Sequence, residues 1–411
     1  MSQLDTAPFP PAQPPPSPTY PYGFYPPATP APRKRQGRRA AELATVAVLA
    51  ASLASGGTYA VARATSPATA TNPTSATSSG VPAVRTIAPV VQADATAPDW
   101  AATAKAVAPS VVSVSVASAQ AEGEGSGVII DTAGHVLTNN HVATGAGPGA
   151  KISVTLNDGR TYPATIAGTD SATDLAVLTL QSPPSDLVPI AFGDSETLTV
   201  GQQVMAVGNP LGLAGTVTTG IVSALDRPVS TGSSDSGSRA GGDPVVVNAI
   251  QTSAAINPGN SGGALVTASG QLIGINSSIA SLGASGGQSG NIGIGFAIPV
   301  NEAKGIADQL IAKGSADHAY LGVSSADGTV PDGSSTRAAA IVRTVAPNTP
   351  AATAGLRAGD AVIAIGGKRI DSSLALVAAI RARQVGDVVT ATVVRGGQRS
   401  DIPMTLTARP A

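Results

Sequence analysis

Asn257-Pro258-Gly259-Asn260-Ser261-Gly262-Gly263 is the stretch on which the reading of this 411-residue chain turns. A serine hydroxyl attacks poorly at neutral pH, so a nucleophilic serine needs a base beside it and an exposed, tightly turned backbone. Glycines at 259, 262 and 263 permit such a turn and let amide N–H groups approach a substrate carbonyl. A serine among glycines is also a common structural turn, so support has to come from elsewhere in the chain. Composition narrows the alternatives. There is no cysteine, which removes disulfides, thiolate metal sites and cysteine nucleophiles together. With 3 histidines, a histidine-rich metal cluster is not expected, and a formal net charge of −1 gives no general attraction to nucleic acid.

The string Gly259-x-Ser261-x-Gly263 also fits the nucleophile elbow of α/β-hydrolases, in which the acid and the histidine follow the serine. Here the only histidine after Ser261 is His318, and the next element, Leu272–Ile275, reads as strand rather than helix. Before Ser261 lie Thr138-Asn139-Asn140-His141-Val142 and Thr173-Asp174-Leu175-Ala176-Val177-Leu178. The order His, Asp, Ser on a β-rich chain is that of chymotrypsin-like proteases. His135 follows Thr132-Ala133-Gly134 in a hairpin-like turn and reads as structural. Asp170 competes with Asp174. Asp174 is preferred because it abuts an apolar strand, where a buried carboxylate can be held against an imidazole, whereas Asp170 reads as part of a turn.

From Asp99 to Pro299 short apolar or alternating runs are separated by Gly, Asn and Asp. Examples are Val111–Val116, Val128–Ile130, Ile152–Leu156, Leu175–Leu180, Val204–Val207, Val217–Val222, Val245–Ile250 and Leu272–Ile275, a pattern that predicts a sandwich or barrel. Of 6 Tyr, 4 Phe and 1 Trp, five (Phe9, Tyr20, Tyr22, Phe24, Tyr25) lie in the first 25 residues, so the core must come from Val, Ile, Leu and Ala. Residues 228–243 lack any apolar pattern and read as a loop. A helix is predicted over Asn301–Lys313, capped by Asn301, striped by Ala303, Ile306, Ala307, Leu310 and Ile311, and stopped by Gly314. A smaller unit follows over 319–408, with strands near 340–345, 361–365, 388–394 and 401–407 and a helix near Leu374–Arg383. Its polar, turn-rich residues 324–338 read as an inserted loop.

TNNHV at 138–142, TDLAVLTL at 173–180, the run from Ile250 through GNSGGAL, and Gly293-Ile294-Gly295-Phe296-Ala297-Ile298-Pro299 together resemble the HtrA/Deg family of serine proteases, and residues 319–408 resemble a PDZ domain. The resemblance covers roughly three quarters of the chain. It implies a mainly β fold, a chymotrypsin-like double β-barrel protease domain followed by an α+β PDZ domain. It implies Ser261 as nucleophile, His141 as general base and then acid, Asp174 as the residue orienting the imidazole, and Gly259 and Ser261 as oxyanion-hole donors. Ala255, six residues before the serine, falls at the base of the S1 pocket and carries no carboxylate for a basic P1 side chain. By resemblance Ile256 and Ile279 line that pocket, favouring small aliphatic P1 residues. Tyr320-Leu321-Gly322-Val323 matches a PDZ carboxylate-binding loop, and Leu374, Val377 and Ile380 lie at helical spacing along the groove, though they are first of all core candidates.

Residues 1–39 form a proline-rich tail, with 12 prolines before residue 33, ending in the basic run Arg33-Lys34-Arg35-Gln36-Gly37-Arg38-Arg39. Residues 40–62 carry an uncharged stretch after Glu42 long enough to cross a hydrocarbon core of about 30 Å as a helix. Basic residues before it predict a cytoplasmic N-terminus and a single-pass transmembrane helix, with cleavage after Ala60-Val61-Ala62 as the competing reading. Residues 63–98 read as a linker, 99–315 as the protease domain and 316–411 as the PDZ domain. The resulting expectation is a membrane-anchored, extracytoplasmic endopeptidase of protein quality control and stress response. It would act on unfolded, membrane-associated or regulatory proteins, respond to hydrophobic C-termini at the PDZ domain, and assemble as a homotrimer by resemblance. The segment 228–243 falls where the family places a sensor loop. No cofactor, metal or nucleic acid is expected, since the basic run is explained as a topology signal. The alternative is a peptide-binding chaperone or scaffold with latent protease activity.

Overall fold

Strands with apolar residues on both faces need a barrel interior on one side and a second layer on the other. The computed structural model describes residues 89–93, 97–210, 215–231, 245–278 and 293–410. The tail 1–39, the apolar stretch 40–62, most of the linker and residues 232–243 lie outside the described residues. Strands β1 (Val111–Ala117), β2 (Glu122–Ile129), β3 (His135–Asn139), β4 (Lys151–Thr155), β5 (Thr161–Asp170) and β6 (Leu175–Leu180) close into an antiparallel barrel in the order β1-β2-β3-β6-β5-β4. Strands β7 (Gln203–Gly208), β8 (Thr216–Thr231), β9 (Val245–Thr252), β10 (Ala264–Thr267), β11 (Leu272–Ser277) and β12 (Gly295–Pro299) close into a second barrel with the same connectivity, β7-β8-β9-β12-β11-β10. Closure leaves neither sheet with an unpaired edge.

The period of two explains the packing. In β6, Ala176, Leu178 and Leu180 fill the first barrel, while Leu175 and Val177 enter a seam shared by both barrels. In β7, Val204 and Ala206 fill the second barrel, while Met205 and Val207 enter the same seam. Each Val, Leu or Met side chain among these contributes about 1.5–3 kcal/mol when removed from water. All eight predicted runs fall on strands, whereas β3, β5, β10 and β12 were not among them. Polar residues, Gly and Pro interrupt the pattern in HVLTN and TYPATIAGTD. Residues 228–231 belong to β8 rather than to a loop, pairing with Val245–Asn248 of β9.

The helix Val300–Lys313 lays Val300, Ala303, Ile306, Ala307 and Leu310 on the seam. Gly314 ends it in a left-handed conformation (φ 78°), its N–H donating to Leu310 O at 3.0 Å. Asn301 is not its cap. Pro299 precedes the helix, and Asn301 lies in its first turn, where Nδ2 donates to Asp194 Oδ1 at 2.8 Å.

The C-terminal unit contains β13 (Ala319–Tyr320), β14 (Val323–Asp332), β15 (Ser335–Val345), β16 (Ala361–Ile365), β17 (Lys368–Arg369), β18 (Val388–Arg395), β19 (Gln398–Thr405) and β20 (Thr407–Ala408). The main sheet runs β14-β15-β16-β18-β19, and the helix Ser373–Arg381, capped by Ser372, buries Ala375, Leu376, Ala379 and Ile380 in its core. The predicted loop 324–338 is instead most of a long hairpin, paired from Val323–Val345 to Asp332–Ser335. One face of β14 is exposed and the other only half-buried, and polar residues stand on both, so no hydrophobic alternation marks the strand.

Both units belong to one compact body. The helix Ser373–Arg381 packs across β8 and β9. His318 Nε2 meets Asp170 Oδ1 at 2.9 Å, and Lys368 Nζ donates to Asp226 Oδ1 at 2.8 Å. Glu302, in the first turn of the linking helix, has both carboxyl oxygens buried without a hydrogen bond among the described residues. Burial pushes its carboxyl from 4.5 up to about 7; His318 and Arg381 pull it down, and Asp170 raises it further. A raised folded-state value stabilises the fold fully below about 4.5, and that stabilisation is lost as pH rises through about 7. We expect Glu302→Gln to flatten the pH dependence of urea unfolding across that window. It should also raise stability at pH 8 by on the order of 2 kcal/mol.

Candidate active site

The seam between the barrels is where the predicted residues meet. His141 follows β3, in the short helix Asn140–Thr144. Asp174 lies in the turn joining β5 to β6, in the left-handed region (φ 59°) that non-glycine residues seldom occupy. Hydrogen bonds to its backbone hold it there, since Asp174 O accepts Asn139 Nδ2–H at 2.9 Å and Asn140 N–H at 3.0 Å. Its carboxylate faces His141 Nδ1 with both oxygens at 2.9 Å and accepts the His141 backbone N–H at 3.1 Å. Ser277, at the end of β11, donates its hydroxyl to Asp174 Oδ2 at 3.2 Å. The aspartate is therefore fixed in direction as well as in place.

Ser261 comes from the other barrel, in the turn between β9 and β10. Gly259 and Gly262 hold positive φ (95° and 81°). A Cβ at Gly262 would overlap Ser126 O and Thr138 Oγ1, and one at Gly263 would overlap Val207 O. The glycines are thus required by close approach as well as by conformation. Ser126 of β2, fully buried, secures the turn from the first barrel. Its N–H donates to Ser261 O at 2.8 Å, and its hydroxyl donates to Gly259 O at 2.7 Å. The N–H groups of Gly259 and Ser261 have no acceptor among the described residues. Ser261 Oγ lies 2.5 Å from Ser278 Oγ and accepts the Ser278 N–H at 3.1 Å, with no hydrogen bond to His141.

The other candidates separate. His135 is tied to Asp131 within its own turn, Nδ1 to Oδ2 at 2.6 Å. Asp170 is not an exposed turn residue. It ends β5, is buried, and pairs with His318 and Thr173. Burial pushes its carboxyl up, but the hydrogen bond and charge of His318, with Thr173 and the Ala172 N–H, hold it below the usual carboxylate range. Ala255 is half-buried, and its carbonyl accepts the Thr218 hydroxyl at 2.8 Å. Ile256 is buried in the core of the second barrel. Ile279 lies outside the described residues. Ser126, Ser277 and Ser278 were not singled out from the sequence. For Ser277 the available signal was a polar residue ending a wholly buried strand.

In the C-terminal unit Tyr320, Leu321, Gly322, Val323, Leu374 and Val377 all line one cavity of about 670 Å³. Gly322 has φ 87°, and Thr349 packs where a side chain would stand. The N–H groups of Leu321 and Gly322 have no acceptor among the described residues, leaving them free to receive a carboxylate. Ala172 and Val246 of the barrels form part of the same cavity wall. Among the described residues no cluster of His, Asp or Glu could hold a metal ion.

With this geometry in view, comparisons place the chain among known proteins. Residues 125–275 match the trypsin-like peptidase domain, and residues 319–406 match the PDZ domain. The chain is 48% identical over 304 residues to serine protease PepD of Mycobacterium tuberculosis, covering 72% of this chain and 63% of that protein. It is 42% identical over 286 residues to the periplasmic pH-dependent serine endoprotease DegQ of Escherichia coli, covering 68% and 58%. The chain thus spans about three fifths of the length of these curated relatives. Among solved structures, the HtrA-type protease AlgW with tripeptide is similar at 34% identity and a TM-score of 0.56, over 76% of this chain and 98% of that one.

The glycine contacts set an expectation. Gly262→Ala should lower the stability measured by urea unfolding by on the order of 3 kcal/mol, through overlap with Ser126 and Thr138 and the positive φ.

Proposed function

The chain belongs to the HtrA family of trypsin-like serine proteases, and we propose that it is an endopeptidase with Ser261 as nucleophile, His141 as general base and Asp174 as orienting acid. The observation that carries this reading is the grip of both Asp174 oxygens on His141 Nδ1. With Nδ1–H committed to the carboxylate, Nε2 carries the lone pair that takes the Ser261 proton as Oγ attacks the scissile carbonyl. Asp174 then stabilises the imidazolium, which passes its proton to the leaving amine. Water repeats the sequence on the acyl-enzyme. The uncommitted N–H groups of Gly259 and Ser261 receive the developing oxyanion. Each such donor is worth about 2.7–4 kcal/mol of transition-state stabilisation.

Ala255 puts no carboxylate at the base of S1, so burying a lysine or arginine there would leave its charge unpaired. Together with Ile256 and Ile279 this favours cleavage after small aliphatic residues. The loop Tyr320–Val323 receives a peptide C-terminus, and Leu374 and Val377 meet its apolar side chain. AlgW has been solved with a tripeptide and with a decapeptide, which supports peptide recognition as the mode of control. The basic run and residues 40–62 support a single-pass anchor with the catalytic domain outside the cytoplasm. Among the described residues no helix is long and apolar enough to cross a membrane. Substrates are unfolded, membrane-associated or regulatory proteins, and the working assembly is a homotrimer. A second reading, a peptide-binding scaffold with latent protease activity, is favoured by the pairing of Ser261 Oγ with Ser278 rather than His141.

Degradation of casein by the purified chain separates the two. We expect cleavage that rises with peptides ending in hydrophobic residues, and a loss of roughly a millionfold in Ser261→Ala. A folded chain inactive with and without such peptides supports the scaffold. Cleavage sites from a peptide library should carry Val or Ala at P1, and a profile dominated by Arg and Lys overturns the pocket assignment.

A further inference from the structure

Both partners of the Ser261 hydroxyl oxygen belong to Ser278. Its Oγ stands at 2.5 Å and its N–H donates at 3.1 Å. His141 Nε2 has no hydrogen-bond partner among the described residues, its ring being held through Nδ1 alone. The position of Ser278 is set by backbone pairing, since Gly262 N–H donates to Asn276 O and Asn276 N–H donates to Gly263 O, both at 2.9 Å. The adjacent serines therefore divide the site. Ser277 holds the carboxylate, and Ser278 holds the nucleophile.

We propose that Ser278 is a positioning residue that keeps the Ser261 hydroxyl in a resting arrangement turned from His141, and so sets how often the nucleophile is presented to its base. This rests on the endopeptidase reading. Attack requires Ser261 to donate its proton to Nε2 while an oxygen lone pair faces the carbonyl. An N–H donated into that oxygen occupies a lone pair; a Ser278 hydroxyl that donates to it occupies a second, and one that accepts from it competes with the imidazole for the Ser261 proton. Both effects lower reactivity in the free enzyme without touching substrate binding. Removing the Ser278 hydroxyl shifts the balance towards His141 by what one modest hydrogen bond commands, about three- to tenfold.

The test is the rate of Ser261 phosphorylation by diisopropyl fluorophosphate on the full chain, where Oγ displaces fluoride at phosphorus to form the diisopropylphosphoryl ester and its proton passes to His141. Ser278→Ala should label about three- to tenfold faster than the wild type, and it should raise kcat on a reporter peptide with KM unchanged. Ser278→Thr, which restores a hydroxyl, should return close to the wild-type rate. Equal or slower labelling of Ser278→Ala with an unchanged melting temperature overturns the proposal, as does a Ser278→Thr rate that follows Ala. Absence of labelling in the folded wild type and in both variants removes the endopeptidase reading itself, and the role of Ser278 with it.

Discussion

Ser126 is the residue on which the arrangement of the site depends. It is fully buried, and every hydrogen-bonding group it possesses is in use. The N–H and hydroxyl reach across the seam to Ser261 O and Gly259 O, Asn209 N–H donates to its Oγ at 2.8 Å, and its carbonyl accepts the Thr138 hydroxyl at 2.6 Å. A saturated polar group in an apolar seam has one low-energy placement, because any shift leaves a buried donor or acceptor without a partner. The apolar residues of the seam bring the barrels together without specifying an angle. Ser126 converts that contact into a register, placing the Ser261 turn of one barrel against the His141 and Asp174 segments of the other.

A second junction links this site to the C-terminal unit. Asp170 ends β5, and Ala172, Thr173 and Asp174 lie in the turn that follows it. Asp170 holds His318, Ala172 forms part of the wall of the cavity lined by Tyr320 and accepts Val246 N–H at 3.3 Å, and Asp174 faces His141. Groups that contact the second unit and the carboxylate that pairs with His141 thus share a few residues of backbone. Glu302 and Arg381 surround the same junction with charge drawn from the linking helix and the groove helix.

How much of this was legible in the sequence follows from burial. Strand β6 was readable because it is a short run apolar and buried on both faces, and the helix Val300–Lys313 because its one apolar face is buried. The hairpin arm 324–338 was not, because polar residues stand on its half-buried face as well as on its exposed one and leave no hydrophobic period. Asn301 has the chemistry of a helix cap, but Asp194 competes for it from a loop more than a hundred residues earlier, which no local pattern encodes. The choice of Asp174 over Asp170 agrees with the structure's pairing to His141, although Asp170 is also buried beside a histidine. Local sequence could not show that the second histidine, His318, arrives from the short connection between the helix Val300–Lys313 and β13. Ser277 and Ser278 escaped because their roles depend on strand pairing, not on spacing from Ser261.

The scarcity of aromatic residues has an optical consequence. The single tryptophan, Trp100, packs against the seam between the barrels, and the C-terminal unit contains none. Tryptophan emission from this chain is therefore a native reporter of the two barrels alone. The cavity lined by Tyr320 stays silent at the red edge of excitation. Loosening of the catalytic half and loosening of the peptide-binding half can be told apart without adding a dye.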